Sequence, residues 1–332
     1  MTTPLLSVRN LTTVIGARHQ DVHVVRDVGF DVYPGETVGL VGESGSGKSM
    51  TMLSVAGLVP SPPARIVSGQ VTFEGTDLLS LGEEARRATR GSDIAMIFQD
   101  PMSSLNPLMR VGEQITEGMR AHGKTKADAR RRTLEVLSEV GIPEPGRAAR
   151  SYPHEFSGGM RQRVMIAAAL ALSPKLLIAD EATSALDVTI QQQIVELVRR
   201  LQRDTGMAVI WITHDMGVVA RIAQRVMVMY AGHIVEQAPA QRIYKAPEHP
   251  YTAGLLASIP SLDDSLRAPL RQIGGMPPDP IDVPVGCPFA PRCPQRIERC
   301  TREMPPMTER EGDARAACWV PPSKWVAEQT GS

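Results

Sequence analysis

The sequence predicts an α/β fold built on a parallel β-sheet, and three short apolar runs are the main observation behind this prediction. Thr37–Val41, Lys175–Ala179 and Met207–Thr213 are dominated by apolar residues, which is typical of strands buried on both faces of a sheet. Helical patterns follow the first run at Lys48–Leu58 and separate the other two at Thr189–Arg203. Strands that alternate with helices in this way favour a parallel sheet.

Further segments are expected to surround this sheet. Alternating apolar and polar residues around Leu6–Leu11 and Val22–Val32 predict antiparallel strands in a small edge sheet. Residues 100–172 are mostly helical in pattern and predict a helical insertion. Towards the C-terminus prolines crowd and periodicity fades. We therefore expect a main domain over residues 1–245 and an irregular extension with little core over residues 246–332.

Composition and charge exclude several classes of protein. Lysine and arginine together number 36, as do aspartate and glutamate, so no strong overall field attracts nucleic acid or an anionic membrane. No stretch holds the ~18 or more apolar residues needed to span a bilayer, and the N-terminal residues lack the pattern of a signal peptide. We expect a protein that stays in the cytosol and binds its partners through local surfaces.

A glycine-rich loop carries the sharpest functional signal. It matches the pattern G-x-x-x-x-G-K-[ST] and lies between a predicted strand and a predicted helix, as this motif requires. Its backbone N–H groups suit phosphate oxygens, while Lys48 is expected to reach the β- and γ-phosphates and Ser49 to bind Mg²⁺. The loop consists of Gly42, Glu43, Ser44, Gly45, Ser46, Gly47, Lys48 and Ser49. It predicts binding of a nucleoside triphosphate, a property that kinases and GTPases share.

Two adjacent carboxylates end the apolar run that begins at Lys175. Asp180 is expected to hold Mg²⁺ through water, and Glu181 to polarise the attacking water. Open α/β sheets place their ligands at this end of their strands. A strand that ends in Asp-Glu is also typical of a helix-capping pair, and the upstream loop is what favours catalysis here.

Ser157, Gly158 and Gly159 head an Ala-rich helix about twenty residues before the carboxylates. By itself this triplet is a common N-cap. In this position it resembles the signature sequence of ATP-binding-cassette (ABC) ATPases. The remaining landmarks of that family occur in order along the chain, as Gln99, Ser184-Ala185-Leu186-Asp187 and His214. The resemblance covers roughly residues 5–240 and implies a phosphate-loop ATPase fold that binds ATP and Mg²⁺.

The resemblance implies a role for each landmark. In that family the helix end at Ser157–Met160 contacts the γ-phosphate bound by an opposing subunit. Gln99 would reach Mg²⁺ and the attacking water, and Asp187 would help to join two cassettes. His214 would contact the γ-phosphate and hold Glu181 or the water, although a lone histidine at a strand end is more often structural.

One position departs from the family's pattern. The family usually stacks adenine on an aromatic residue in the N-terminal sheet, about where Ile15 lies, and no aromatic residue precedes Phe30. Ile15 is expected to contact the base by dispersion, with Arg18 or His19 as stacking alternatives. The base preference is less well defined than phosphate binding, and GTP is an alternative nucleotide.

Longer strings indicate a branch of the family. Phe98–Pro107 and Tyr152–Arg163 resemble the peptide/nickel importers, as do His249–Thr252 and the C-terminal tail, while Met160 resembles the first of two ATPase subunits in dipeptide and oligopeptide importers. The resemblance implies a peripheral ATPase on the cytoplasmic face of the inner membrane. Its implied partners are a second, different ATPase subunit, two permease subunits and an external solute-binding protein.

Two alternatives remain. The cargo could be nickel or another small solute, because an ATPase subunit does not touch the solute. The protein could also be a soluble ABC ATPase that acts on ribosomes or DNA ends. Such proteins usually carry two cassettes or a long coiled coil, whereas this chain has one cassette and no sustained heptads between loop and signature. We therefore expect no nucleic-acid partner.

All four cysteines lie in the extension, at Cys287, Cys293, Cys300 and Cys318. Four thiolates suit Zn²⁺ or an iron–sulfur cluster, and zinc sites usually have a tight C-x2-4-C pair that this spacing lacks. The resemblance to the importer branch implies a [4Fe-4S] cluster, with Zn²⁺ as the alternative. We expect a structural role, because a proline-rich region with little core gains stability from a metal.

Overall fold

The computed structural model describes residues 3–17, 20–99, 104–184, 186–259 and 272–325. The strands are β1 (Leu6–Gly16), β2 (Asp21–Val32), β3 (Thr37–Val41), β4 (Ala64–Phe73), β5 (Thr76–Asp77), β6 (Ile94–Ile97), β7 (Leu176–Asp180), β8 (Ala208–Thr213), β9 (Arg225–Tyr230), β10 (His233–Pro239), β11 (Thr308–Glu309) and β12 (Arg315–Ala316). The helices are α1 (Lys48–Val55), α2 (Glu83–Thr89), α3 (Val111–Ala121), α4 (Lys126–Glu139), α5 (Pro145–Ala148), α6 (Gly158–Leu170), α7 (Val188–Thr205), α8 (Met216–Ile222), α9 (Ala240–Lys245), α10 (Pro250–Ala257) and α11 (Arg299–Arg302).

The described residues form two compact units. The first unit falls within Met1–Leu5, Val32–Thr37 and Leu78–Ile212. The second falls within Leu6–Asp31, Val38–Asp77 and Thr213–Ser332. No helix in the described parts of the chain is long and apolar enough to cross a membrane.

The first unit contains a parallel sheet and a group of helices. Strands β6, β7 and β8 pair in parallel, with Ile94 opposite Leu176 and Leu176 opposite Ala208. Every residue of β7 and β8 is buried, as expected for strands covered on both faces. Between β6 and β7, helices α3, α4 and α6 pack on one another and confirm the predicted helical insertion. The buried side of α3 recurs at Val111, Ile115 and Met119, which is helical spacing.

The second unit contains an antiparallel sheet in the order β2-β1-β4-β5, which confirms the predicted edge sheet. It also contains β3 paired in parallel with β9, and β9 paired antiparallel with β10. The short strand β12 pairs with β10 on one side and with β11 on the other. Helix α1 ends at Val55 rather than at the predicted Leu58, because the chain turns at Gly57 with a left-handed φ of +64°.

The C-terminal region, residues 246–332, contributes α10 and the cysteine-bearing segment to a hydrophobic cluster that includes β9 and β10. Cys287, Phe289 and Cys300 are buried there beside Tyr230 and Tyr251. The expectation that this region has little core is therefore wrong. Its apolar side chains, which include Tyr251, complete a cluster whose other members come from elements before residue 246.

Candidate functional site

The glycine loop follows β3 and leads into α1 in the second unit, as predicted. Gly42 and Gly47 have φ values of +155° and +102°, which side chains rarely allow. A Cβ at Gly42 would lie 2.2 Å from the carbonyl oxygen of Met229, and one at Gly47 would lie 2.5 Å from that of Val24. Both positions require glycine, because the loop passes directly against neighbouring backbone.

The first turn of α1 offers backbone N–H groups to an anion. Gly47 stands at the N-cap and has no side chain with which to cap the helix, so the positive end of the helix dipole points into the loop. Lys48 is 5% exposed, and its ammonium donates to the carbonyl oxygens of Gly42 at 2.8 Å and Glu43 at 2.9 Å. The loop thus concentrates positive potential and N–H donors at one point, which suits phosphate.

Two residues that sequence reasoning missed hold the loop from the C-terminal region. The Tyr251 hydroxyl accepts a hydrogen bond of 2.8 Å from the backbone N–H of Glu43. The Arg292 guanidinium forms a bidentate ion pair with the Glu43 carboxylate at 2.7 and 2.9 Å. Tyr251 lies in the string that resembles the importer branch, and that resemblance was its only signal in the sequence.

His214 directly follows β8 and also belongs to the second unit. Its side chain is exposed. The next residue, Asp215, caps α8 by accepting from the backbone N–H groups of Gly217 at 2.8 Å and Val218 at 3.2 Å. The turn that carries His214 is therefore fixed by a cap immediately after it.

In the first unit the structure brings Gln99 and Glu181 together. The Gln99 side-chain amide donates from Nε2 to Oε2 of Glu181 at 2.7 Å. Asp180 ends β7 with 6% exposure, and Glu181 turns the chain with a left-handed φ of +45°. A non-glycine residue in this region is strained, and such strain is common at functional sites. The backbone N–H of Glu181 donates to the carbonyl of Ile212 at 3.0 Å, which fixes the turn.

The signature triplet heads α6, where Ser157 accepts from the backbone N–H of Met160 at 3.4 Å. A Cβ at Gly159 would lie 2.8 Å from Cγ2 of Ile190, so α6 and α7 meet closely at this glycine. Asp187 caps α7 by accepting from the backbone N–H of Ile190 at 2.9 Å. The two predicted landmarks are therefore neighbours in the first unit.

Ile15 is the residue predicted to contact the base of the nucleotide. Ile15 lies in β1, opposite Ala64 of β4, and is partly buried. Arg18 and His19 lie outside the described residues, as do Asp100–Ser103 and Ala185 within the strings that carry the resemblance.

The four cysteines of the extension are free thiols, and Cys287, Cys293 and Cys300 lie in or against one hydrophobic cluster. Burial, with a smaller contribution from the other cysteines, raises the pKa of Cys287 to about 11 and that of Cys293 to about 12. Burial likewise raises the pKa of Cys318. A thiophilic metal would offset this cost, so the donor set fits one chemically. Within the described ranges, however, no three or more His, Cys, Asp or Glu side chains are grouped closely enough to hold a metal ion.

Two family models match the sequence. One, described as "ABC transporter", matches residues 25–184 and so includes the glycine loop and the paired carboxylates. The other, described as "Oligopeptide/dipeptide transporter, C-terminal region", matches residues 235–300, which include three of the four cysteines.

Curated relatives are similar over nearly the whole chain. The dipeptide transport ATP-binding protein of Bacillus subtilis (strain 168) is 50% identical, over 95% of this chain and 94% of the relative. The oligopeptide transport ATP-binding protein of the same organism is 50% identical, over 92% of this chain and 86% of the relative.

Solved structures are similar over about seven tenths of the chain. A dimeric bacterial ABC transporter cassette has a TM-score of 0.63 at 27% identity, over 71% of this chain and 98% of that chain. A dimeric cassette in a post-hydrolysis state with ADP and Pi has the same TM-score at 26% identity.

Proposed function

The chain belongs to the ATP-binding-cassette (ABC) transporter family, among the ATP-binding proteins of dipeptide and oligopeptide transport, and on this premise we propose how its residues drive import. The protein is the ATP-binding and hydrolysing subunit of a peptide importer. The observation that carries the mechanism is the glycine loop at the N-terminus of α1, with the Lys48 ammonium folded over it. Binding of ATP at this loop is the first step.

The phosphates of ATP are bound by residues Gly42–Ser49. Backbone N–H groups of the loop and of the first turn of α1 donate to the phosphate oxygens, and Lys48 neutralises the β- and γ-phosphates. The Ser49 hydroxyl, Asp180 and Gln99 would hold Mg²⁺, whose charge would offset that of the phosphates. The support for this assignment is the close backbone packing at Gly42 and Gly47 and the burial of Asp180.

Hydrolysis uses Glu181 as the general base. Its carboxylate takes a proton from the attacking water, and Gln99 orients that carboxylate and the water. The 2.7 Å hydrogen bond from Gln99 supports this pairing. His214 contacts the γ-phosphate and helps to hold the water. Ile15 contacts the base of the nucleotide.

A second ATPase subunit completes the site. Ser157, Gly158, Gly159 and Met160 present the N-terminus of α6 to the γ-phosphate held by the partner, and Asp187 helps to join the two subunits. The similar cassettes solved as dimers support this arrangement. We propose that the partner is a different chain, so that isolated protein hydrolyses ATP slowly and activity rises when the two subunits are mixed.

The ATPase pair acts on two permease subunits that receive peptide from an external solute-binding protein, and it lies at the cytoplasmic face of the membrane. The match to the oligopeptide/dipeptide C-terminal region favours peptide over nickel or another small solute. It also disfavours a soluble ABC ATPase that acts on ribosomes or DNA.

Transport of labelled dipeptide into vesicles tests this function. The complex is reconstituted with ATP inside the compartment that the ATPase faces, and uptake is compared between the native protein and Lys48→Ala. We expect ATP-dependent uptake that this variant abolishes. Uptake of Ni²⁺ without uptake of dipeptide, or a chain that does not co-purify with permeases, contradicts the proposal.

We also propose that Cys287, Cys293, Cys300 and Cys318 hold a [4Fe-4S] cluster, with Zn²⁺ as the alternative. Support comes from the hydrophobic cluster that Cys287, Cys293 and Cys300 share and from the effect of Cys318 on the pKa values of Cys287 and Cys293. The group would supply structural cross-links within residues 246–332, which we assign as an extension of the cassette at 1–245. Iron and acid-labile sulfide in anaerobically purified protein would identify the cluster, and zinc without sulfide would identify the alternative.

A further inference from the structure

Glu43, the second residue of the glycine loop, is held at both its backbone and its side chain by the C-terminal region. Its backbone N–H donates to the Tyr251 hydroxyl at 2.8 Å, and its carboxylate accepts from both terminal nitrogens of Arg292 at 2.7 and 2.9 Å. A bidentate arginine–carboxylate pair fixes direction as well as distance. The family motif leaves this loop position open to any residue, so nucleotide binding alone does not explain these contacts.

The Arg292 side chain is buried, and its guanidinium makes hydrogen bonds to several partners. Its side chain is 4% exposed, whereas that of Glu43 is 27% exposed. Besides the carboxylate, the guanidinium donates to the Tyr230 hydroxyl at 3.2 Å and to the carbonyl oxygens of Ile273 at 3.3 Å and Gly274 at 3.0 Å. These contacts use all five N–H donors of the group, so it cannot move without breaking hydrogen bonds.

The cysteine-bearing segment fixes Arg292 in turn. Arg292 directly precedes Cys293, and Phe289 lies between Cys287 and Cys293. The Phe289 ring packs at 5.3 Å from Tyr230 and 5.4 Å from Tyr251, measured between ring centroids. The same segment that carries the thiols therefore positions both groups that hold Glu43.

The contacts continue from Glu43 to the lysine of the loop. The Glu43 carbonyl oxygen accepts from the Lys48 ammonium at 2.9 Å, so a shift of Glu43 alters the place from which Lys48 meets a phosphate. Phosphate binding depends on such positions, because preformed donors do not have to be reorganised when the anion arrives.

We propose that Arg292 is a positioning residue for the phosphate-binding loop, and that through Glu43 the cysteine-bearing segment sets the affinity of this protein for ATP. The proposal rests on the function proposed above, since it concerns binding of MgATP at the same loop. It assigns the C-terminal region a part in nucleotide binding in addition to its packing.

A set of variants of the full chain tests the link by equilibrium binding of MgATP and by ATPase kinetics of the assembled importer. Arg292→Met and Glu43→Gln should each raise Kd and KM for ATP about tenfold and leave kcat within about twofold. The double variant should be no weaker than the weaker single variant, because both remove the same ion pair. Arg292→Lys should recover only part of the affinity, since lysine lacks the bidentate fork.

Matched variants separate positioning from general destabilisation. Arg302→Met removes an exposed arginine of the same segment that pairs with Glu298, and it should leave the affinity unchanged. Tyr251→Phe removes only the hydroxyl that accepts from Glu43 and should weaken MgATP binding about threefold to tenfold, even if Arg292→Met does not fold.

The results distinguish failure of this proposal from failure of the proposed function. Unchanged affinity in Glu43→Gln would overturn the proposal whatever Tyr251→Phe does, because Arg292 acts through the Glu43 carboxylate. Additive losses of MgATP affinity in the double variant would also overturn it, because they would show that Arg292 and Glu43 act independently. Failure of the native chain to bind MgATP, or equal binding by Lys48→Ala, would instead contradict the proposed function itself.

Discussion

Gln99 donates from its side-chain amide to Oε2 of Glu181 at 2.7 Å, across 82 residues of sequence. The backbone of Glu181 is at the same time held in the left-handed region, with φ at +45°. The position of the carboxylate is thus restrained both by the hydrogen bond from Gln99 and by the backbone conformation of Glu181. A group that must take a proton from one particular water benefits from both restraints.

Glu181→Gln should abolish hydrolysis and leave ATP binding intact. Glutamine has the same shape but cannot accept a proton from water, so kcat should fall by about 10²- to 10⁴-fold. Single-turnover ATPase assays and MgATP binding on the assembled complex measure the two effects. Glu196→Gln, which alters an exposed carboxylate paired with Arg203 on α7, is the control and should keep native turnover. Native turnover in Glu181→Gln would remove Glu181 as the base.

Gly159→Ala should destabilise the first unit, because the new Cβ would lie 2.8 Å from Cγ2 of Ile190. Overpacking of this kind costs about 1–3 kcal/mol, of which alanine's helix propensity offsets up to about 1 kcal/mol. Urea unfolding measures the change. Adding Ile190→Ala should recover part of the loss, and the control Gly118→Ala, with open space around its Cβ in α3, should be neutral or stabilising. Additive losses in the double variant would show that no clash occurs.

Asp187→Ala should cost about 1 kcal/mol of stability, because Asp187 caps α7 through the backbone N–H of Ile190. Asp187→Asn keeps an acceptor oxygen and should restore most of this stability. If Asp187 also joins two ATPase subunits, both variants should weaken dimer formation when ATP is bound. Analytical ultracentrifugation of each variant combined with Glu181→Gln measures this dimer formation. A dimer unaffected by either change would show that Asp187 only caps α7.

His249→Asn should remove the loss of stability that His249 causes in the native protein as pH falls through the acidic range. Burial lowers the pKa of His249 to about 3, and its Nδ1 accepts from the backbone N–H of Tyr251 at 3.1 Å. Below about pH 6.5 the unfolded chain binds a proton at this residue that the folded chain does not, so stability is lost as pH falls. Asparagine keeps the cap without titrating. Between about pH 7.5 and about pH 5 the variant should gain about 2 kcal/mol relative to the native protein.

The comparison between variants is needed because Glu236 has the opposite effect in the same range. Burial raises the pKa of Glu236 to about 7, so its contribution to stability is present at low pH and is lost as pH rises from about 4.5 to about 7. Urea unfolding of native protein, His249→Asn and His249→Ala at each pH isolates the histidine term. A His249→Asn profile parallel to the native one would contradict the prediction.

The elements that the sequence predicted are those with local signals. The glycine loop and the apolar strands are each indicated by a pattern that spans only a few residues. The hairpin of β9 and β10 was missed because its turn is Ala231-Gly232. Both residues have left-handed φ values, +46° and +85°, but alanine is not one of the residues that normally mark such a turn.

The sequence predicts candidate site residues from motifs, but it does not predict the contacts that support them. Lys48, Asp180 and Glu181 follow from their motifs, whereas Arg292 meets Glu43 across 249 residues of sequence. No local pattern encodes a contact of that range between two side chains. The core around Cys287 was missed for a related reason, since its apolar partners lie in other elements rather than in the cysteine segment itself.

The pairing of β12 with β10 affects what happens when the protein is truncated. Glu236 and Gln237 of β10 lie opposite Ala316 and Arg315, and the backbone N–H of Ala317 donates to the carbonyl of Val235 at 2.9 Å. A cassette truncated after residue 245 would leave the β10 edge with unsatisfied hydrogen-bonding groups, open to strands of other molecules. By covering this strand edge, the C-terminal region protects the protein from aggregation. We expect shortened forms of the protein to precipitate during purification.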